Sequence, residues 1–175
     1  MSLLRALRSA ACVTLVGAVA WGAAAEAGQP TGRATLSEQA VTTACRLSLN
    51  KYYVRTDAAD WTVINEVFTH DAEVTLRDGT YNGTDELIAY FEARDPAPNI
   101  IHHLTSTMFH ITGEQTAKGT VYILIQGSSA SDESDGNRNE RGLMYSGVYS
   151  DEYVIEDGVC RISKRVLRPR FLHHF

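Results

Sequence analysis

The hydrophobic positions change period partway along the chain. Val41, Cys45, Leu49 and Tyr52 recur on one helical face, Leu47 and Tyr53 widen it, and Ser37 is placed to cap the run. Asp60 is placed to cap a second, short helix whose apolar stripe is Trp61, Ile64, Val67 and Phe68. Residues 72–76 read as a strand and Asp78-Gly79 as a turn. Thr84 is the expected cap of a third helix over 85–93, with Leu87, Ile88, Tyr90 and Phe91 inward, ended by Asp95-Pro96-Ala97-Pro98. Beyond this point the chain reads as strand: 100–111, 116–126, 143–155 and 159–167 are rich in β-branched and aromatic residues. Gly113-Glu114-Gln115 and Asp157-Gly158 supply hairpin turns, and the polar run 128–141 reads as a surface loop. Helices first and an antiparallel meander afterwards predict an α+β domain.

The first residues have a different character. Arg5 and Arg8 precede an apolar run over 10–20, and Ala25-Glu26-Ala27 fits a small-x-small cleavage site. Residues 1–27 therefore read as a secretory signal peptide, 28–35 as a linker, 36–168 as the domain and 169–175 as a tail. The expected location is exported, periplasmic or secreted. The whole chain carries a net charge of −5; removing two arginines and one glutamate with residues 1–27 leaves −6. An acidic domain of this kind argues against nucleic acid and, after signal cleavage, against a membrane surface as partner. Cys45 and Cys160 remain, either bridged in an exported chain or present as two buried thiols.

The order of elements, with Asp60-Trp61, then Phe68-Thr69-His70-Asp71-Ala72, Tyr81-Asn82-Gly83, His102 with Thr105, and Gly147-Val148-Tyr149-Ser150-Asp151-Glu152-Tyr153, resembles the SnoaL-like branch of the nuclear-transport-factor-2-like superfamily. The resemblance covers roughly residues 35–168. It implies a cone-shaped, curved antiparallel sheet wrapped around a cavity and closed by N-terminal helices. It also implies relatives such as scytalone dehydratase, bile-acid 7α-dehydratase and hexachlorocyclohexane dehydrochlorinase, which eliminate a small leaving group from a hydrophobic ring. Carried over residue by residue, Asp57 and His102 match the catalytic dyad. Tyr52, five positions before Asp57, matches a substrate-contacting tyrosine, and Arg165 a pocket-lining position. Ser106 and Cys160 depart from the pattern, standing where relatives often have asparagine and tryptophan. Such domains commonly pair, so a homodimer or homotrimer is expected.

The chemistry follows from residue type. A neutral histidine held in one tautomer by a carboxylate is a general base near neutral pH, and a tyrosine hydroxyl can support a carbonyl or a departing oxygen. The expected function is a cofactor-independent dehydratase or isomerase acting on a small hydrophobic ligand such as a steroid or polyketide-like ring, with no metal and no organic cofactor. The same residues also fit a helix C-terminal turn (Asp57) and a satisfied core histidine (His102). A binding or assembly module of the same fold, and a polyketide cyclase or epoxide-type hydrolase, are the alternatives. His103 is expected on the opposite strand face from His102.

Overall fold

The computed structural model describes residues 37–94, 99–128 and 143–172. The segments read as signal peptide and linker, the Asp95–Pro98 turn and all but the first residue of the polar 128–141 run lie outside them. Helix α1 is Glu38–Thr56, and the Ser37 hydroxyl accepts from Ala40 N at 3.1 Å as expected of a cap. A single 3-10 turn, Trp61–Val63, runs into α2, Ile64–Val67; Asp60 caps it, accepting from Thr62 N. Strand β1 is Phe68–Thr75 and β2 is Thr80–Asn82. Helix α3, Thr84–Glu92, leads to four long strands: β3 Asn99–Gly113, β4 Thr116–Ser128, β5 Leu143–Glu156 and β6 Val159–Leu172.

Four local readings are corrected. Phe68 opens β1 instead of closing a helix, because α2 is a single turn. Gly83, at φ 86°, takes the N-cap place of α3, and Thr84 is buried within the helix. The reach-back comes from Glu86, whose carboxylate accepts from Asn82 N at 2.7 Å. Leu47 does not widen the buried face of α1 but stands 66% exposed. Residues 169–172, expected in a tail, continue β6 against Tyr145, Ser146 and Gly147 of β5. Pro169 is tolerated there because β6 has run past the end of β1 and needs no donor on that side.

The strands form one mixed sheet in the order β2-β1-β6-β5-β4-β3. All pairs are antiparallel except β1 with β6, which run parallel. The β5–β6 turn is Asp157-Gly158, both at positive φ (51° and 76°), the two-residue hairpin geometry that this dipeptide favours. Helix α1 packs across β3 and β6, and α3 against β1. Among the described residues the helices pack on one face of the sheet, and Met108 and Tyr122 on the other are exposed. Buried Val41, Cys45 and Leu49 of α1 share the core with Val121, Ile123, Tyr153 and Ile162 of the sheet. Cys45 and Cys160 are bridged, with Cα atoms 4.9 Å apart, which fastens α1 to β6.

Two β-bulges decide which side chains face the helices. In β3, Leu104 pairs with Ile123 and Ser106 with Tyr122, so Thr105 is an extra residue. Phe109 and Thr107 face inward on odd numbers, and beyond Thr105 the inward residues are Leu104 and His102. In β6, Tyr153 pairs with Ile162 but Glu152 with Lys164, so Ser163 is extra and the inward parity passes from Ile162 to Arg165. The inner face thus carries the rows Phe109–Gly119–Asp151–Arg165 and His102–Ile125–Tyr145. Burial is complete around Tyr153 and Ile162 and loosens toward the His102 end, where Leu104 and Tyr145 are half-buried.

Candidate active site

Asp57 follows directly on the last residue of α1, and the chain there is tightly held. Asp57 N still donates to Tyr53 O, at 2.9 Å. Asp60 N donates to Arg55 O and Ala59 N to Thr56 O, both 2.9 Å, with Ala59 left-handed at φ 57°. This is a Schellman closure with alanine in the place glycine usually takes. Arg55 ties the corner shut: Nε donates to Asp60 at 2.8 Å, Nη2 to Thr62 Oγ1 at 2.8 Å, and Nη1 pairs with Glu66. These bonds to Arg55 hold the carboxyls of Asp60 and Glu66 below the usual carboxylate range. Asp60 is thus a structural carboxylate, and Asp57 is left free to face the sheet.

What Asp57 faces is His102. The His102 ring donates from Nδ1 to Asp57 Oδ1 at 2.6 Å, and the His102 backbone N donates to Asp57 Oδ2 at 2.9 Å. Both side chains are largely enclosed, at 13% for His102 and 17% for Asp57. The carboxylate therefore fixes both the backbone and the ring of one residue. A neutral ring whose proton sits on Nδ1 toward Asp57 would keep its lone pair on Nε2. His103 pairs on the outer face, as alternation requires.

The two expected neighbours are both interior, with duties the sequence did not reveal. Tyr52 packs edge-on against Tyr53 and Phe68, 5.0 and 5.4 Å between ring centroids, and lies beside Arg165. It is Tyr53, one helical turn before Asp57, that stacks on His102, at 5.0 Å and 30° between planes. Arg165 is 1% exposed and forks onto Asp151, Nε to Oδ1 at 2.9 Å and Nη2 to Oδ2 at 2.7 Å. Tyr153 OH donates to the same Asp151 at 2.7 Å. Burial opposes the Arg165 charge, but Asp151 facing it more than compensates and keeps the guanidinium protonated. The rings of Tyr149, Tyr52, Phe68 and Tyr53 surround it, Tyr149 closest at 4.2 Å. Burial pushes the Tyr52, Tyr53 and Tyr149 hydroxyls well up, so all three are neutral donors at ordinary pH.

Sequence reasoning placed Tyr53 on the apolar face of α1 without giving it a part in the site, and it missed Tyr149 and Asp151 as members of this interior. Asp151 sat inside a motif quoted only for its order along the chain; its partner across the β5–β6 pair was the signal that it faces inward. A separate open groove of about 390 Å³ is lined by Met108, His110, Lys118, Thr120, Glu152 and Arg168. These residues alternate with the inward set, so the groove lies on the opposite face of the sheet from the dyad.

Residues 37–166 match the SnoaL-like domain family. No curated protein matches the chain by sequence. A hexachlorocyclohexane dehydrochlorinase from Novosphingobium barchaimii superposes with a TM-score of 0.65 at 20% identity, over 77% of this chain and 90% of its own. A candidate scytalone dehydratase from Novosphingobium aromaticivorans gives 0.62 at 19%, over 77% and 88%. A protein of unknown function from Mycobacterium tuberculosis gives 0.63 at 21%, over 75% and 72%. At these identities the likeness is one of fold, a cone-shaped α+β domain.

Proposed function

The chain belongs to the SnoaL-like domain family, and from that footing we propose that it is a cofactor-independent lyase in which His102 is the general base and Asp57 its partner. The observation that carries the reading is the pair of hydrogen bonds from His102 to Asp57 on the inner face of the sheet. His102 Nε2 takes a proton from a ring carbon, and the C–H electron pair becomes a C=C bond as the neighbouring C–O bond breaks. The imidazolium, stabilised by Asp57, hands the proton to the departing oxygen, which leaves as water. If the proton returns instead to another carbon, the result is an isomerisation. Proton transfer of this kind contributes about 10²–10⁴-fold.

Aromatic and aliphatic residues around the dyad support a small, largely apolar ring as substrate; Tyr53, Leu104 and Tyr145 are among them. Asp151 favours a lyase over a hydrolase: Arg165 and Tyr153 occupy its oxygens, so it is not placed to activate water. The Cys45–Cys160 bridge supports export, since disulfides persist in oxidising compartments; N-terminal sequencing of the protein from cell-envelope and culture fractions should begin at Gly28, and an intact Met1 would refute this. For the reaction, the mature protein is incubated with hydroxylated steroids and ring ketones, and loss of water is followed by mass and by conjugated absorbance. Turnover should vanish in His102→Ala. Turnover equal to that of the unaltered protein would sink the mechanism.

A further inference from the structure

Arginines from two separate elements stand at the open end of the inner face. The row His102–Ile125–Tyr145–Leu172 lies at that end, where Tyr145 is half-buried. The β1–β2 turn projects the same way: Thr75 is level with Val166, and β6 runs on from there to Leu172. Leu76 N donates to Gly79 O at 2.8 Å and closes the turn, with Arg77 exposed on it. The second arginine, Arg94, follows the end of α3 and is exposed too. Tyr90 of α3 ties the two places together. Its hydroxyl donates to Asp78 of the turn at 2.6 Å, its ring lies 4.3 Å from that of Tyr81 in β2, and the Arg94 guanidinium sits 5.5 Å over it. Among the described residues neither Arg77 nor Arg94 makes an ion pair. Burial pushes the Tyr145 hydroxyl up, and the charges of Arg77 and Arg94 both oppose that push, so both act on the same half-buried ring.

We infer that Arg77 and Arg94 anchor an oxyanion at the mouth of the inner face, so that the substrate is an amphipathic acid. Its apolar ring lies against His102, Leu104 and Tyr145, and a carboxylate or sulfate at its outer end meets the two guanidiniums. This rests on the reading of the inner face as the place where the ring binds. Guanidinium suits the task because it stays charged and presents paired N–H donors to two oxygens. Neither arginine touches the reacting atoms; the pair orients the ligand. The anion keeps contact with water at the rim and has its charge matched there. Entering the other way round, it would be desolvated beside the carboxylate of Asp57, which repels it. One end of the molecule is thereby chosen to enter, and with it the ring carbon that meets His102 Nε2.

Two fluorescent probes separate charge from shape. 8-Anilinonaphthalene-1-sulfonate and N-phenyl-1-naphthylamine share the same rings, and the first alone carries an oxyanion. The mature protein should bind the sulfonate more tightly than the neutral amine. Arg77→Gln and Arg94→Gln should each weaken the sulfonate about 3- to 10-fold and leave the amine unchanged, and the double variant should bring the two probes roughly level. Leu104→Trp, which crowds the inner face beside His102, should weaken both probes. Thr120→Trp, which crowds the groove on the other face, should weaken neither, and it locates the probes even if Leu104→Trp does not fold. His102→Ala should keep the preference for the sulfonate, so loss of the base and loss of the anchor are read separately. Sulfonate binding that survives both arginine substitutions, equal losses of the two probes in those variants, or a loss of sulfonate binding in Thr120→Trp would each overturn the anchor.

Discussion

Both carboxylate oxygens of Asp57 go to one residue, and this makes the position intolerant of its amide. Asparagine has one acceptor for two donors, the His102 backbone N–H and the ring N–H. If the backbone bond is kept, the amide NH₂ meets Nδ1 and forces the proton onto Nε2, where it blocks the base. Asp57→Asn should therefore lower kcat by about 10²–10⁴-fold with little change in KM, read from steady-state kinetics on whichever substrate the panel identifies. Arg165 and Asp151 behave as a unit for a different reason. Arg165→Met strands a buried carboxylate and should lose about 3–5 kcal/mol of stability in urea, whereas Arg165→Met with Asp151→Leu should recover most of it; losses that simply add would refute the pairing. The dyad was legible because Asp57 and His102 stand in segments that resemble a known family. The roles of Tyr53 and Asp151 were not, because neighbours across strands depend on register and the sequence does not print it.

At the scale of elements, local backbone geometry overrides simple periodicity in two strands. A strand read by alternation from Phe109 would put His103 inward, and one read from Ile162 would put Lys164 inward. Extra residues at Thr105 and Ser163 reverse both, and the two side chains that matter for the interior, His102 and Arg165, each lie just beyond a bulge. The helices were placed well by their apolar spacing, but capping was misassigned at Thr84 because Gly83 has the positive φ that the entry to α3 requires. A Cβ at Gly83 would stand 3.1 Å from His70 O as well. Ala59 is the converse, a residue with a Cβ at φ 57° in the closure that aims Asp57. Ala59→Gly should raise stability by about 1 kcal/mol, seen as a higher urea midpoint, with turnover unchanged. A drop in turnover at higher stability would mean that the strained turn itself sets the position of Asp57.

Taken whole, the molecule folds around neutral tyrosines. Burial raises the hydroxyls of Tyr52, Tyr53, Tyr149 and Tyr153 above their ordinary 10.0, and all four lie in one core. The sign is set by the unfolded chain, in which these groups ionise at the ordinary value. Their contribution is therefore complete below about pH 10 and is lost as pH rises from there toward the raised folded values. Unfolding free energies from urea titrations between about pH 8 and about pH 11 should hold level and then fall steeply, by up to about 5 kcal/mol per pH unit if all four act together. A free energy level throughout would mean that the tyrosines ionise in place. The same core is closed by the bridge from Cys45 to Cys160, which are separated by 115 positions. Nearly the whole domain is thereby a covalent ring with two short arms. A protease that cuts once inside the ring opens it without releasing a fragment, so a nicked molecule keeps Asp57 and His102 on one covalent body until a reductant reaches a bond that the core itself conceals.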